Sequence, residues 1–127
     1  MKRKIAIIAG GDSSEYGVSL RSAAGIYSFL DHDRYDVVIV CLRGTEWKAQ
    51  LAEDVWVDKN DFSFTYQGQH TKFDFAYITI HGTPGENGLL QGYLDMIGLP
   101  YSCCGVLAAA MTFNKFTCNH YLKGFGI

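Results

Sequence analysis

The sequence predicts an α/β domain built on a mostly parallel, Rossmann-like sheet with helices on both faces. Three observations carry this. Residues 5–9, 35–42 and 75–80 are near-continuous apolar runs, the pattern of strands buried on both faces. Residues 19–30, with one apolar face, and residues 89–97, which follow the first and third runs, are predicted helices. Glycine-rich loops stand directly after the first and third runs, at the strand ends where parallel sheets hold ligands.

Composition sets the outer bounds. The chain has 127 residues, 48% apolar and 19% charged, which supports one folded domain and excludes a disordered chain. Surface scaling gives about 6,700 Å² exposed when folded, against about 20,000 Å² unfolded. A formal charge of −2 removes the basic footprint of a nucleic-acid binder. No apolar run is long enough to span a membrane. The basic start Met1-Lys2-Arg3-Lys4 leads into an apolar run too short for a secretory signal, which ends at Gly10-Gly11-Asp12. The reading is a mature start and a cytoplasmic protein, with neither nucleic acid nor membrane as partner. Cys41, the adjacent Cys103 and Cys104, and Cys118 show no C-x-x-C and no zinc spacing. They read as free thiols packing as small hydrophobes, and no metal site is expected.

The elements follow in order. Residues 10–14 form a turn after the first strand. Leu20, Ala23, Ala24, Tyr27 and Leu30 mark the apolar face of the helix over 19–30, which Asp31-His32-Asp33 ends. Arg43-Gly44-Thr45 closes the second strand. Residues 47–58 suit short strands. Phe62, Phe64 and Tyr66 alternate with polar residues, a half-exposed strand offering a packing or oligomer face. Gln67-Gly68 is a turn, with residues 69–73 as the returning partner. Gly98 is the predicted C-cap of the helix over 89–97. Residues 99–101 are extended, and residues 105–111 and 114–123 are predicted helices. Gly126 would cap the last of these, and Ile127 reads as the start of another strand. The polypeptide is therefore expected to be cut from something longer.

The first loop reads AGGDSSEYGVS over residues 9–19. A glycine turn between strand and helix presents backbone N–H groups to an anion. The dinucleotide fingerprint fails, because Gly10 and Gly11 are adjacent, and the Walker pattern lacks its Gly-Lys-Ser/Thr. The second strand also ends in Leu42-Arg43 where a nucleotide-binding Rossmann domain carries an acidic residue. Glu15 stands near a helix N-terminus, which favours its ionised form. There it either caps the helix or attracts a substrate ammonium group. His81 follows the third strand directly. It is either a structural histidine or a hydrogen-bond donor and proton shuttle for an anionic oxygen. Gly82, Gly85 and Gly88 would let the backbone approach a ligand closely. Glu86 and Asn87 are too few to hold a metal, and Glu86 reads as a supporting partner. Lys115, at a helix start, is either solvated or reaches a ligand.

Taken together, the two loops resemble the N-terminal domain of D-alanine–D-alanine ligases. GGDSSEYGVSLRSA (residues 10–23) resembles that family's G-G-x-S-x-E-x-x-V-S-x-x-S. HGTPGENGLLQGYLDMIGLPY (residues 81–101) resembles H-G-x-x-G-E-D-G-x-x-Q-G, a helix and G-[IL]-P-Y. Residues 105–115 resemble the segment that leads into the central domain, and only about residues 46–72 fall outside the similarity. The resemblance implies a pre-ATP-grasp fold, with residues 1–127 as a single N-terminal substrate-binding domain. It implies an ATP- and Mg²⁺-dependent ligase that joins two D-alanines through an acyl phosphate for peptidoglycan precursor synthesis. It also implies a homodimer.

Carried over by motif, Glu15 would hold the ammonium of the first D-alanine, with Val18 and Ser19 lining the same pocket. His81 would hydrogen-bond the reacting carboxyl or acyl-phosphate oxygens. Lys115 would reach toward ATP phosphates. Three positions depart from the family pattern. Gly17, Asn87 and Asn114 stand where acidic residues are usual, which bears on loop support and substrate choice. Related ligases make D-alanyl–D-lactate or D-alanyl–D-serine. Family members are more than twice as long, so the ATP-grasp central and C-terminal domains are expected to be absent from these residues. The 127-residue piece is then expected to be inactive by itself. The competing reading is a stand-alone α/β small-molecule-binding or regulatory module without catalysis.

Overall fold

The computed structural model describes residues 2–12, 16–80, 89–103 and 123. Its centre is β1 (Arg3–Gly10), followed by α1 (Tyr16–Phe29) and β2 (Tyr35–Arg43). Then come β3 (Glu46–Gln50), β4 (Asp54–Trp56), β5 (Phe64–Tyr66) and β6 (Gln69–Thr71). The chain returns to the centre with β7 (Phe75–Ile78), then α2 (Leu89–Ile97) and β8 (Tyr101–Cys103). One sheet has the order β4-β3-β2-β1-β7-β8, and β5 pairs with β6 alone. Strands β2, β1, β7 and β8 are parallel neighbours. β3 and β4 extend the sheet antiparallel beside β2. The fold is the predicted α/β class.

Side-chain alternation divides the core into two layers. Ile5, Ile7 and Ala9 point to one face, where Ala23, Ile26 and Leu30 from the α1 side cover them together with Phe75 and Tyr77. Ala6 and Ile8 point to the other, where they join Val40, Leu42, Ile78 and the α2 residues Leu90 and Leu94. Helices therefore lie on both faces. The start of the β1–β7 pair is clamped reciprocally. The Lys4 N–H donates to Asp74 Oδ2 at 2.8 Å, and the Asp74 N–H donates to the Lys4 carbonyl at 2.8 Å.

Local chemistry explains the ends of several elements. Gly98 (φ +75) closes α2 in a Schellman arrangement: the Leu99 N–H donates to the Leu94 carbonyl and the Gly98 N–H to that of Asp95. Gln67 and Gly68 both have positive φ, the primed turn that joins β5 to β6.

Three expectations need correction. α1 begins at Tyr16 rather than Ser19, and its buried stripe is Ser19, Ala23 and Ile26. Ala24 and Tyr27 are exposed. The stripe is rotated because a hydrogen-bonded serine occupies a core position that its polarity conceals. Strand β7 ends at Ile78, although Thr79 and Ile80 remain buried. Finally, Phe62 and Phe64 are 1% and 6% exposed and lie against Phe73, with Phe62 also meeting Trp47 and Tyr93. They form an internal packing cluster, the packing face of the two alternatives, and only the start of the strand is corrected. Phe62 also precedes the strand, at φ +55. The helices predicted over 105–111 and 114–123 lie outside the described residues, apart from Lys123.

Tyr93 ties α2 to this cluster. Its hydroxyl donates to the Lys59 carbonyl at 2.6 Å, and its ring stands edge-on to Trp47. Burial, reinforced by Asp61 and Asp58, pushes the hydroxyl from the ordinary value of 10 up to about 12. Below pH 10 both folded and unfolded states keep the proton. Between pH 10 and about 12 the unfolded state releases it first, so this contribution to stability is lost as pH rises. Tyr93→Phe is expected to flatten the fall in stability across that window, read from denaturant melts at successive pH values.

Among the described residues, no helix is long and apolar enough to cross a membrane.

Candidate functional site

From β1 the chain passes through α1 to β2 on one side. From β7 it passes through α2 to β8 on the other. The switch point of the sheet therefore falls between β1 and β7, the crevice where open α/β sheets bind ligands. The two glycine-bearing loops start side by side there. Their stems touch: the Thr79 N–H donates to the Ile8 carbonyl at 2.8 Å.

The first stem is held across the end of β2. Gly10 and Gly11 have φ +101 and +95. The Gly11 N–H donates to the Leu42 carbonyl at 2.7 Å, and the Gly44 N–H donates to Asp12 Oδ1 at 2.7 Å. A Cβ on Gly10 would lie 2.3 Å from that same Leu42 carbonyl oxygen, so only glycine lets the chain pass this close. Beyond residues 13–15, Tyr16 anchors the start of α1. The Arg43 guanidinium lies 4.1 Å from its ring centre, and its hydroxyl is 3.2 Å from Cys41 Sγ. The hydrogen bond with Cys41, followed by burial, raises the Tyr16 hydroxyl above its ordinary range, and Arg43 opposes this. The phenol thus remains protonated at neutral pH. Tyr16, Cys41 and Arg43 form one wall of a hollow of about 230 Å³, completed by Glu46, Lys48, Gln50 and Asp54.

Ser19 joins both stems. It is fully buried, and its hydroxyl accepts from the Gly10 N–H at 2.9 Å and donates to the Thr79 carbonyl at 3.0 Å. Thr79 Oγ1 lies 3.3 Å from Ser19 Oγ and donates to the Ile8 carbonyl at 3.0 Å.

The predicted site residues divide accordingly. Val18 is 39% exposed on the first turn of α1, while Ser19 beside it has no exposed surface. Glu15, His81, Glu86, Asn87 and Lys115 lie outside the described residues. Asp12, Tyr16 and Thr79 were not legible as site supports. The available signal was Thr79 itself, a polar residue near the carboxyl end of an apolar run. Among the described residues, no group of three or more His, Cys, Asp or Glu side chains is placed to hold a metal ion.

Fold and site together define a doubly wound α/β domain whose candidate ligand site is the β1–β7 crevice. A family profile described as the D-ala D-ala ligase N-terminus matches residues 4–104, and the chain belongs to that family. A D-alanine–D-alanine ligase of Phocaeicola vulgatus is 64% identical over the whole chain, which spans 40% of that relative's length. Among solved structures, D-alanyl-alanine synthetase A of Vibrio cholerae superposes with a TM-score of 0.70 at 33% identity, over 99% of this chain and 38% of that one. An ATP complex of the Bacillus anthracis D-alanine–D-alanine ligase superposes with a TM-score of 0.56 at 30% identity, over 80% of this chain and 28% of that one.

Proposed function

We propose that this chain is the substrate-binding N-terminal part of an ATP-dependent ligase that joins two D-alanines for peptidoglycan precursor synthesis. The observation that carries the reading is the family match over residues 4–104, which spans both glycine-bearing loops. Glu15 would hold the ammonium of the first D-alanine, with Val18 lining the pocket beside it. His81 would donate to the carboxyl oxygens on which negative charge develops. Ser19, with its hydroxyl engaged by Gly10 and Thr79, would support these loops rather than face the substrate. ATP is the co-substrate that supplies the phosphoryl group activating the first carboxylate. Lys115 would reach toward its phosphates.

Mg²⁺ would accompany ATP as the ion that bridges its phosphates. Since the chain spans 40% of the matched relative, the ATP-grasp portion belongs to the rest of such a protein. The 127-residue polypeptide by itself is proposed to lack turnover. A cytoplasmic location and a homodimer belong to the same proposal.

The test is made in the native-length protein. Glu15→Gln is expected to lower kcat/KM for D-alanine roughly 10- to 100-fold, the worth of a charge-assisted hydrogen bond. His81→Ala is expected to lower kcat by roughly 10²–10³, as for a lost oxyanion donor. ADP release dependent on D-alanine reads both. Unchanged turnover in Glu15→Gln would remove the ammonium role.

A further inference from the structure

We propose that Ser19 and Thr79 are positioning residues that couple the stem at the end of β1 (Gly10–Gly11) to the stem at the end of β7 (Thr79–Ile80), so that each holds the other in place. The β1–β7 register ends at Ile8 and Ile78. Gly10, turned away by its positive φ, needs another acceptor for its N–H. Ser19 supplies it from α1 and donates its own O–H to the Thr79 carbonyl. Thr79 contributes both its N–H and its hydroxyl to the Ile8 carbonyl. Two buried hydroxyls thus join the end of β1, the start of α1 and the end of β7. All of these groups lie in a fully buried, low-dielectric crevice, where an unmatched donor is costly and a satisfied network is rigid. Displacing either hydroxyl therefore disturbs both stems. One stem leads toward Glu15 and the other toward His81, so the catalytic consequence rests on the functional reading above, while the mechanical coupling does not.

The experiment has two arms, both in the native-length protein. The first is amide hydrogen exchange by NMR in Thr79→Val and Ser19→Ala. Thr79→Val, though made on β7's end, is expected to speed exchange at Gly10 and Gly11 about tenfold, the effect of weakening one buried hydrogen bond. Ser19→Ala is expected to do the same at Thr79 and Ile80. Exchange in β3 should not change in either. Acceleration confined to the mutated residue's own element would overturn the coupling.

The second arm is kinetic. Each variant is expected to lose about tenfold in kcat/KM for D-alanine with nucleotide affinity retained, and the double variant to lose no more than the worse single. Thr79→Ser, which keeps the hydroxyl, should restore activity. Losses below twofold, or a failure of Thr79→Ser to rescue, would overturn the positioning role. If the unaltered protein shows no D-alanine-dependent turnover, the functional reading fails instead, and the exchange arm still decides the coupling.

Discussion

Gly10→Ala is expected to destabilise the fold by roughly 2–6 kcal/mol, with backbone strain and overpacking each contributing about 1–3. The added methyl would lie 2.3 Å from the Leu42 carbonyl oxygen and 3.1 Å from Tyr16 Cε2, at a φ of +101. The Leu42 oxygen cannot swing aside, because it is backbone within the β1–β2 ladder and also accepts from Gly11. Gly44→Ala is the matched control. It too has a positive φ (+58), but open space surrounds it, so only the left-handed penalty of about 1–2 kcal/mol applies. Denaturant melts of the two variants separate the steric part from the conformational part. Equal losses would mean that the stem at Gly10 moves away from β2 at little cost.

Phe62→Ala should cost roughly 3–5 kcal/mol, the range for emptying a buried aromatic site. Phe62 is 1% exposed, and its ring centre lies 5.5 Å from that of Phe73 and 6.0 Å from that of Trp47. Its φ of +55 makes the comparison with glycine informative. Glycine leaves nearly the same cavity but relieves the left-handed strain of about 1–2 kcal/mol. Phe62→Gly is therefore expected to melt no lower than Phe62→Ala, the reverse of the usual order in extended or helical backbone. A markedly less stable glycine variant would show that the backbone there relaxes out of the left-handed region.

Much of the architecture was legible locally. The strands β1 and β7 announced themselves as apolar runs because both their faces are covered, leaving no polar alternation, whereas β2, read the same way, is only partly buried. The helix Leu89–Ile97 and its Gly98 cap matched, since helical periodicity and a left-handed stop are properties of adjacent residues. Gln67-Gly68 was readable as a turn for the same reason. The stripe of α1 was not. Ser19 is as buried as Ala23, yet its polarity placed it outside any apolar face. The aromatic residues Phe62 and Phe64 likewise did not reveal whether they face a neighbour or their own core.

By itself, the sequence determined the α/β class, the order of the main strands and helices, the two glycine-bearing loops and the family motifs they contain. These are local patterns of hydrophobicity, turn chemistry and spacing. Only the tertiary structure decided which strands are neighbours, that β3 and β4 run antiparallel at one edge, and that the two loop stems meet between β1 and β7. It alone revealed the Ser19–Thr79 junction. The contacts concerned join residues 60 and 71 positions apart. Their strength depends on burial in the β1–β7 crevice, and burial exists only once the sheet has formed around them.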